Sequence, residues 1–252
     1  MKYALISDIH ANLPALDAVL ADIEAVGVDA TYHLGDLVGY GPWPNETVAR
    51  LVERGIPGVA GNYDSTVATN YKHCGCRYED PRQEALSHES FAWTLAHTTR
   101  QTRRILGGLP FRIDIRPLGG HASGPTLTLV HGNQTLNTVY VTEDRSNDFL
   151  TAMGSAFGAR TGDIVAFGHT HKPWERVVNG VRFVNTGSVG RPKDGDWRAG
   201  YVLLDVGADG AELEFRRVEY DVERTAEAIL TSALPDEFAY YLRSGGTSLA
   251  AI

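Results

Sequence analysis

The sequence predicts an α/β fold, and three observations predict it. Short apolar segments rich in β-formers recur along the 252 residues, helix-periodic stretches separate the first of them, and each such segment runs directly into polar residues. Strand–helix–strand–helix order of this kind implies βαβ crossovers and layered packing with parallel strands.

The elements follow in order. Residues 3–7 read as the first strand. Leu13, Leu16, Leu20 and Ile23 then recur at spacings of three and four, with Asn12 placed as N-cap and Gly27 as the stop. Residues 30–34 form the second strand, 45–54 a helix stopped by Gly55, and 56–60 a third strand. Residues 81–106 read as one long helix or two shorter ones, ending at Gly107-Gly108-Leu109-Pro110. Residues 64–110 therefore look like an insertion or cap over the ends of the strands. Strands are expected at 127–130 and 164–167. Beyond them 174–178 and 181–184 are joined by an Asn179-Gly180 hairpin turn. Strands at 201–206 and 212–218, a helix over 222–233 and a small polar tail over 244–252, expected to be mobile, complete the chain. No internal repeat or linker interrupts it, so residues 1–252 are expected to form one domain.

Composition narrows the function classes. With 43% hydrophobic and 21% charged residues the chain can bury a sizeable core. A formal charge of −8 argues against stable nucleic-acid binding, which normally uses a basic stripe. It leaves room for an anionic small molecule, because bound cations reverse the local field. The first apolar segment is too short for a secretory signal, and no run approaches the roughly 20 residues that cross a bilayer. Cys74 and Cys76 are separated by one residue and read as reduced thiols on a loop. A cytoplasmic location and no membrane association are expected.

The chemistry lies just after each apolar segment. There the chain carries Asp8 and His10, then Asp36, Asn62 and His131, and finally His169 and His171. In a parallel α/β layer, loops at the carboxyl ends of neighbouring strands converge on a ligand. Carboxylate, amide oxygen and imidazole together suit Mn²⁺, Fe or Zn²⁺ better than Ca²⁺ or a thiolate site. The set is too large for one closed tetrahedral centre and suits two divalent metal ions sharing a carboxylate, which can clamp the oxygens of an in-line displacement. Read singly, each histidine is more often an ordinary core or surface residue, and Asp8 and Asp36 could be helix N-caps, a reading that the paired Asp-x-His and His-x-His spacings make the minor one.

The blocks Asp8-Ile9-His10, Gly35-Asp36, Gly61-Asn62, His131-Gly132 and Gly168-His169-Thr170-His171 resemble, in order, those of the calcineurin-like metallophosphoesterases. Residues 7–16, 35–42 and 185–190 resemble the bacterial diadenosine-tetraphosphatase-like branch. The resemblance implies a four-layer α/β/β/α sandwich with a helical insertion. It assigns a first metal to Asp8, His10, Asp36 and His171, and a second to Asp36, Asn62, His131 and His169, so that Asp36 bridges. A metal-bridging hydroxide would attack phosphorus in a small soluble phosphodiester or nucleotide-type substrate. A phosphomonoesterase or phosphoprotein phosphatase shares the same metal set, and a metal-bearing interaction scaffold is the reading from another class.

One position departs from the pattern. Many members carry histidine after Gly-Asn, where it contacts phosphate and protonates the leaving group; here stands Tyr63. A phenol with an ordinary pKa near 10 is a poor acid at neutral pH but a usable hydrogen-bond donor. Asp36, Asn62 and Tyr63 are thus expected in catalysis, with Tyr63 and Arg191 on the substrate. Lys193 is a second phosphate candidate, and both cations can equally be solvated loop charges. Tyr40, Trp43 and Trp174 can stack on a base or support a loop. His33 is expected to be a half-buried packing residue.

Overall fold

Alternation along the strands builds three layers of core. In β1 (Lys2–Ile6), Tyr3 and Leu5 point to one apolar cluster while Ala4 and Ile6 point to another. β5 (Ile164–Phe167) behaves alike, with Ile164 and Ala166 on one side and Val165 and Phe167 on the other. The first cluster lies between two sheets, and each sheet turns its outer face to helices. The result is the α/β/β/α sandwich.

The computed structural model describes residues 1–78, 80–116, 124–207 and 210–248. The first sheet has the order β2 (Ala30–His33), β1, β8 (Ala199–Gly207) and β9 (Gly210–Val218). The second runs β3 (Ile113–Ile115), β4 (Leu127–Leu129), β5, β7 (Val181–Asn185) and β6 (Trp174–Val178). Pairing is parallel for β1–β2, β4–β5 and β5–β7, and antiparallel for β1–β8, β8–β9, β3–β4 and β6–β7. Both sheets are therefore mixed, not wholly parallel. α1 (Leu13–Val26), α2 (Pro44–Glu53), α7 (Val222–Leu230) and α8 (Glu237–Arg243) cover the first sheet, and α6 (Asn147–Phe157) covers the second.

Asn12 caps α1 as expected, its side chain accepting the Ala15 N–H, and Gly27 ends it at φ 71°. The expected third strand is the main correction. Residues 56–60 form only one parallel bridge, His33 with Gly58. Pro57 has no N–H to extend the ladder, and the Ala60 N–H turns away to the Pro110 carbonyl at 2.8 Å. The next stretch forms α3 (Asn62–Ala68), α4 (Pro81–His97) and α5 (Arg100–Gly107), whose Val67, Leu86, Phe91 and Leu106 join the helical core of the first sheet. The tail is hydrogen-bonded as far as Ser248; Gly246 donates to Tyr241 and Gly195 to the Gly245 carbonyl, at 2.8 and 2.9 Å. Residues 249–252 lie outside the described residues.

Candidate metal centre

Tight turns at the strand ends bring the ligands together. The backbone enters the left-handed region at Asp8 (φ 52°), His10 (48°), Asp36 (54°), His169 (68°) and His171 (60°). Such conformations cost about 1–3 kcal/mol each in side-chain-bearing residues and persist where the surroundings over-determine them. Here the surroundings do. Asp8 N–H donates to Gly35, His10 N–H to Asp36 and Gly190 N–H to Asp8, at 3.0, 3.0 and 3.1 Å. The Ser188 hydroxyl donates to the Asp8 carbonyl at 2.7 Å, and the Asn185 amide to the Gly168 carbonyl at 2.7 Å. A Cβ on Gly61 would lie 2.1 Å from Asp36 Oδ1, and one on Gly168 1.9 Å from Ser7 Oγ. Only glycine permits these approaches.

Two groups result. Asp8, His10 and His171 offer ligand atoms within 4.8 Å of one another, and so do Asp36, His131 and His169. Each of these side chains belongs to a residue no more than 3% exposed. Asn62 joins the second group, its Oδ1 lying 3.1 Å from His131 Nε2. A single atom links the two: Asp36 Oδ2 is 3.4 Å from His131 Nε2 and 3.7 Å from His10 Nε2.

The hydrogen-bonding pattern tests whether cations fit. Nδ1 of His10, His131 and His171 faces the carbonyls of Val38, Leu34 and Arg191 at 3.0, 2.7 and 2.6 Å. A carbonyl only accepts, so Nδ1 carries the proton and Nε2 presents its lone pair inward. His10 Nε2 and His171 Nε2 then confront each other at 3.2 Å. Two nitrogens bound to one cation at about 2.1 Å, with an angle of roughly 90–110°, are about 3.0–3.4 Å apart. Asp8 Oδ1, in the first group, and His169 Nε2, in the second, are buried without a hydrogen-bond partner. Isolated, each would cost about 1–3 kcal/mol. A divalent cation in each group would supply the missing partner.

Burial favours the neutral, lone-pair-bearing form of three of the four histidines. Burial pushes His10 and His169 down to about 3 and His171 well below the ordinary imidazole value, with Lys193 adding to the last. His131 is lowered by burial but more than restored by Asp36, reaching about 9. Burial would raise Asp36, yet His131 and His10 hold it below the ordinary carboxylate range. Asp8 rises to about 7, burial first.

The other expected residues sit differently. Tyr63 is fully buried on α3; its ring is 5.6 Å edge-on to His10 and its hydroxyl is 3.3 Å from Ser87 on α4. The expectation that this phenol meets phosphate is not met, because α3 turns the side chain into the core between Tyr40 and Phe91. Its backbone N–H instead donates to Asp36 Oδ1 at 2.9 Å. Arg191 is nearly enclosed, its guanidinium 4.0 Å from the Tyr40 ring centre and 4.3 Å from that of Tyr241. Tyr40 and Trp174 are buried and unavailable for stacking on a base. His33 is wholly rather than half buried, its Nδ1 has no partner, and burial lowers its pKa to about 3.

Asp64, Cys76 and Tyr140 join the site unexpectedly, whereas Lys193 was already a phosphate candidate. Asp64 accepts the N–H groups of Asp36, Leu37 and Gly61 at 2.8, 2.9 and 2.9 Å. Its place three residues after Gly61, opening a helix, was the available signal. The free thiol of Cys76 accepts from Asn62 Nδ2 at 3.3 Å, and the Tyr140 ring lies 4.2 Å from that of His169. Lys193 is half-buried, and burial lowers it to about 8. No sequence pattern marks Cys76 or Tyr140 for this site.

The chain matches the calcineurin-like phosphoesterase superfamily domain over residues 1–209. It belongs to that family. Members use divalent metals, and this chain is accordingly a phosphoric ester hydrolase. A metallophosphoesterase from Sphaerobacter thermophilus is 28% identical, with a TM-score of 0.74 and coverage of 97% of this chain and 99% of that one. A hypothetical protein from Pyrococcus horikoshii OT3 shares the fold, at a TM-score of 0.80, 22% identity and coverage of 98% and 99%. An uncharacterized protein of Methanocaldococcus jannaschii is 29% identical over 256 residues, covering 92% of this chain and 93% of that relative. Among the described residues no helix is long and apolar enough to cross a membrane.

Proposed function

We propose that this phosphoesterase holds two divalent metal ions, Mn²⁺ foremost with Fe or Zn²⁺ as competitors, and hydrolyses a small soluble phosphodiester or nucleotide-type substrate. The observation that carries the reading is the position of Asp36 Oδ2 between the His10 and His131 imidazoles. Asp8, His10 and His171 would hold one ion, Asn62, His131 and His169 the other, and Asp36 would bridge them. When bound, such a pair polarises phosphoryl oxygens and acidifies a water molecule. The chain's own part is to fix the ligands. The Val38, Leu34 and Arg191 carbonyls orient three imidazoles, while Asp64 and the Tyr63 N–H orient Asp36.

The buried Tyr63 supports the preference for substrates whose leaving group needs little protonation, such as nucleotides or pyrophosphate-linked groups. Phosphomonoesters and phosphoproteins are the alternative substrates. A scaffold without catalysis is disfavoured by the intact ligand set. We read residues 1–252 as one domain with 64–110 as an insertion beside the site. The free thiols Cys74 and Cys76 accord with a reducing, cytoplasmic setting.

The test uses metal-stripped protein reloaded with Mn²⁺ and assayed on bis-p-nitrophenyl phosphate and p-nitrophenyl phosphate. Turnover of the diester above the monoester supports the proposal and directs attention to dinucleoside polyphosphates. A strong monoester preference moves the monoesterase to first place. No turnover of either with two metals bound overturns the general phosphoesterase reading.

A further inference from the structure

The loop after β7 threads directly past the first ligand group. Gly190 N–H donates to the Asp8 carbonyl, the Arg191 carbonyl accepts from His171 Nδ1, and Lys193 N–H donates to the His171 carbonyl at 3.3 Å. Lys193 is thereby fixed against His171 of the first group, with a half-buried side chain. Among the described residues its ammonium forms no hydrogen bond or ion pair. Its charge nevertheless acts on His10, His169 and His171, which belong to both ligand groups, and is itself supported by Asp8 and Asp36. A lysine ammonium carries three donors, and with no protein partner among the described residues they are free to meet an anion at the site.

The C-terminal segment fastens this loop. Gly195 N–H donates to the Gly245 carbonyl at 2.9 Å. A Cβ on Gly246 (φ 85°) would lie 2.4 Å from the Pro192 carbonyl oxygen and 2.6 Å from Lys193 Cα. α8 adds Phe238, and the same helix's Tyr241 closes over the Arg191 guanidinium. The segment that grips Lys193 lies beyond residue 209, outside the stretch that matches the family domain.

We propose that Lys193 is a substrate-binding residue that holds a non-bridging phosphoryl oxygen at the metal centre, positioned there by a clasp of α8 and Gly245-Gly246. The proposal takes its ligand, a tetrahedral phosphate oxyanion, from the phosphoesterase reading. Lys193 does not move a proton in it; it contributes fixed charge and donors to an oxyanion that the metals alone would hold less tightly. Arg191, stacked behind it on Tyr40 and Tyr241, supplies long-range positive field and rigidity.

The test is calorimetric binding of inorganic phosphate to Mn²⁺-loaded protein, with metal content measured on each sample. Lys193→Met should weaken phosphate about tenfold or more, the usual loss for a hydrogen bond to a charged group, while two metals remain bound. It should raise KM for the aryl diester more than it lowers kcat. Lys193→Arg should recover part of the affinity, and the exposed Lys72→Met should bind as the parent does. Gly246→Ala should weaken phosphate although Lys193 is retained. Parent-like affinity in Lys193→Met with two metals overturns the proposal, as does a two-metal parent that binds no phosphate. Parent-like affinity in Gly246→Ala overturns the clasp. If phosphate binding depends on Lys193 but no ester is turned over, the oxyanion site stands and the hydrolytic reading fails. If Lys193→Met leaves both kcat and KM for the diester unchanged, the hydrolytic reading stands and Lys193 is not a substrate-binding residue.

Discussion

The carboxylate of Asp64 accepts the backbone N–H of Asp36 at 2.8 Å, and so holds the residue proposed as the bridge in a left-handed conformation (φ 54°). The same carboxylate takes the N–H groups of Leu37 and Gly61. A residue outside both candidate groups thus sets the backbone geometry of the carboxylate that lies between them.

Removing it should be felt in the fold and in the metal centre. Asp64→Ala leaves buried N–H groups unpaired, at about 1–3 kcal/mol each, so a loss of about 3 kcal/mol or more is expected in urea unfolding. Mn²⁺ affinity should fall about 10–100-fold, the usual effect of losing a group that orients a ligand. Asp64→Asn keeps an acceptor and should lose less of both. Unchanged Mn²⁺ titration in Asp64→Ala would remove Asp64 from this role.

Asp36 itself is expected to be indispensable. Asp36→Asn keeps the shape but lowers the charge at the shared position. Elemental analysis should then find fewer than two metals, and turnover should drop by about 10²–10³ or more. Two metals and parent-like turnover would exclude Asp36 as the bridge.

Tyr63 separates packing from chemistry. Tyr63→Phe loses only the hydroxyl contact with Ser87, a change of about 0.5–1.5 kcal/mol in stability. Its kcat should stay within about threefold of the parent value. A fall of about 100-fold would instead return the phenol to proton transfer.

His33 makes the metal-free protein acid-sensitive. Its pKa falls from 6.5 to about 3 on burial. Between those values the unfolded chain binds a proton that the folded chain does not, so stability rises with pH across the window. The contribution is complete above about pH 6.5 and is lost as pH falls, on the order of 4 kcal/mol by pH 3. In metal-free protein, His33→Leu should flatten the urea-derived stability curve between pH 4 and 7. The remaining slope belongs to groups such as His10 and His169. An identical slope in the variant would show that His33 is protonated without cost.

Much of this molecule was legible in its residues. Leu13, Leu16, Leu20 and Ile23 specify α1 because one helix face must be buried, and Asn12 starts it because its side chain can replace a missing acceptor. The candidate ligands were readable because metal chemistry needs particular side chains, and strand ends are where loops converge. Local pattern failed where distant segments decide the outcome. Residues 56–60 have strand composition, yet Pro57 and the pull of Pro110 leave a single bridge.

The residues alone dictate which groups are available to hold metal and which segments are apolar, because both are properties of side chains. It took the packed molecule to establish that Asp36 Oδ2 faces His10 and His131 together, that the Tyr63 phenol faces Ser87, and that Gly246 presses against Lys193. Those relationships join residues far apart in the chain, and their distances follow from how two twisted sheets and their helices pack, which no local spacing encodes.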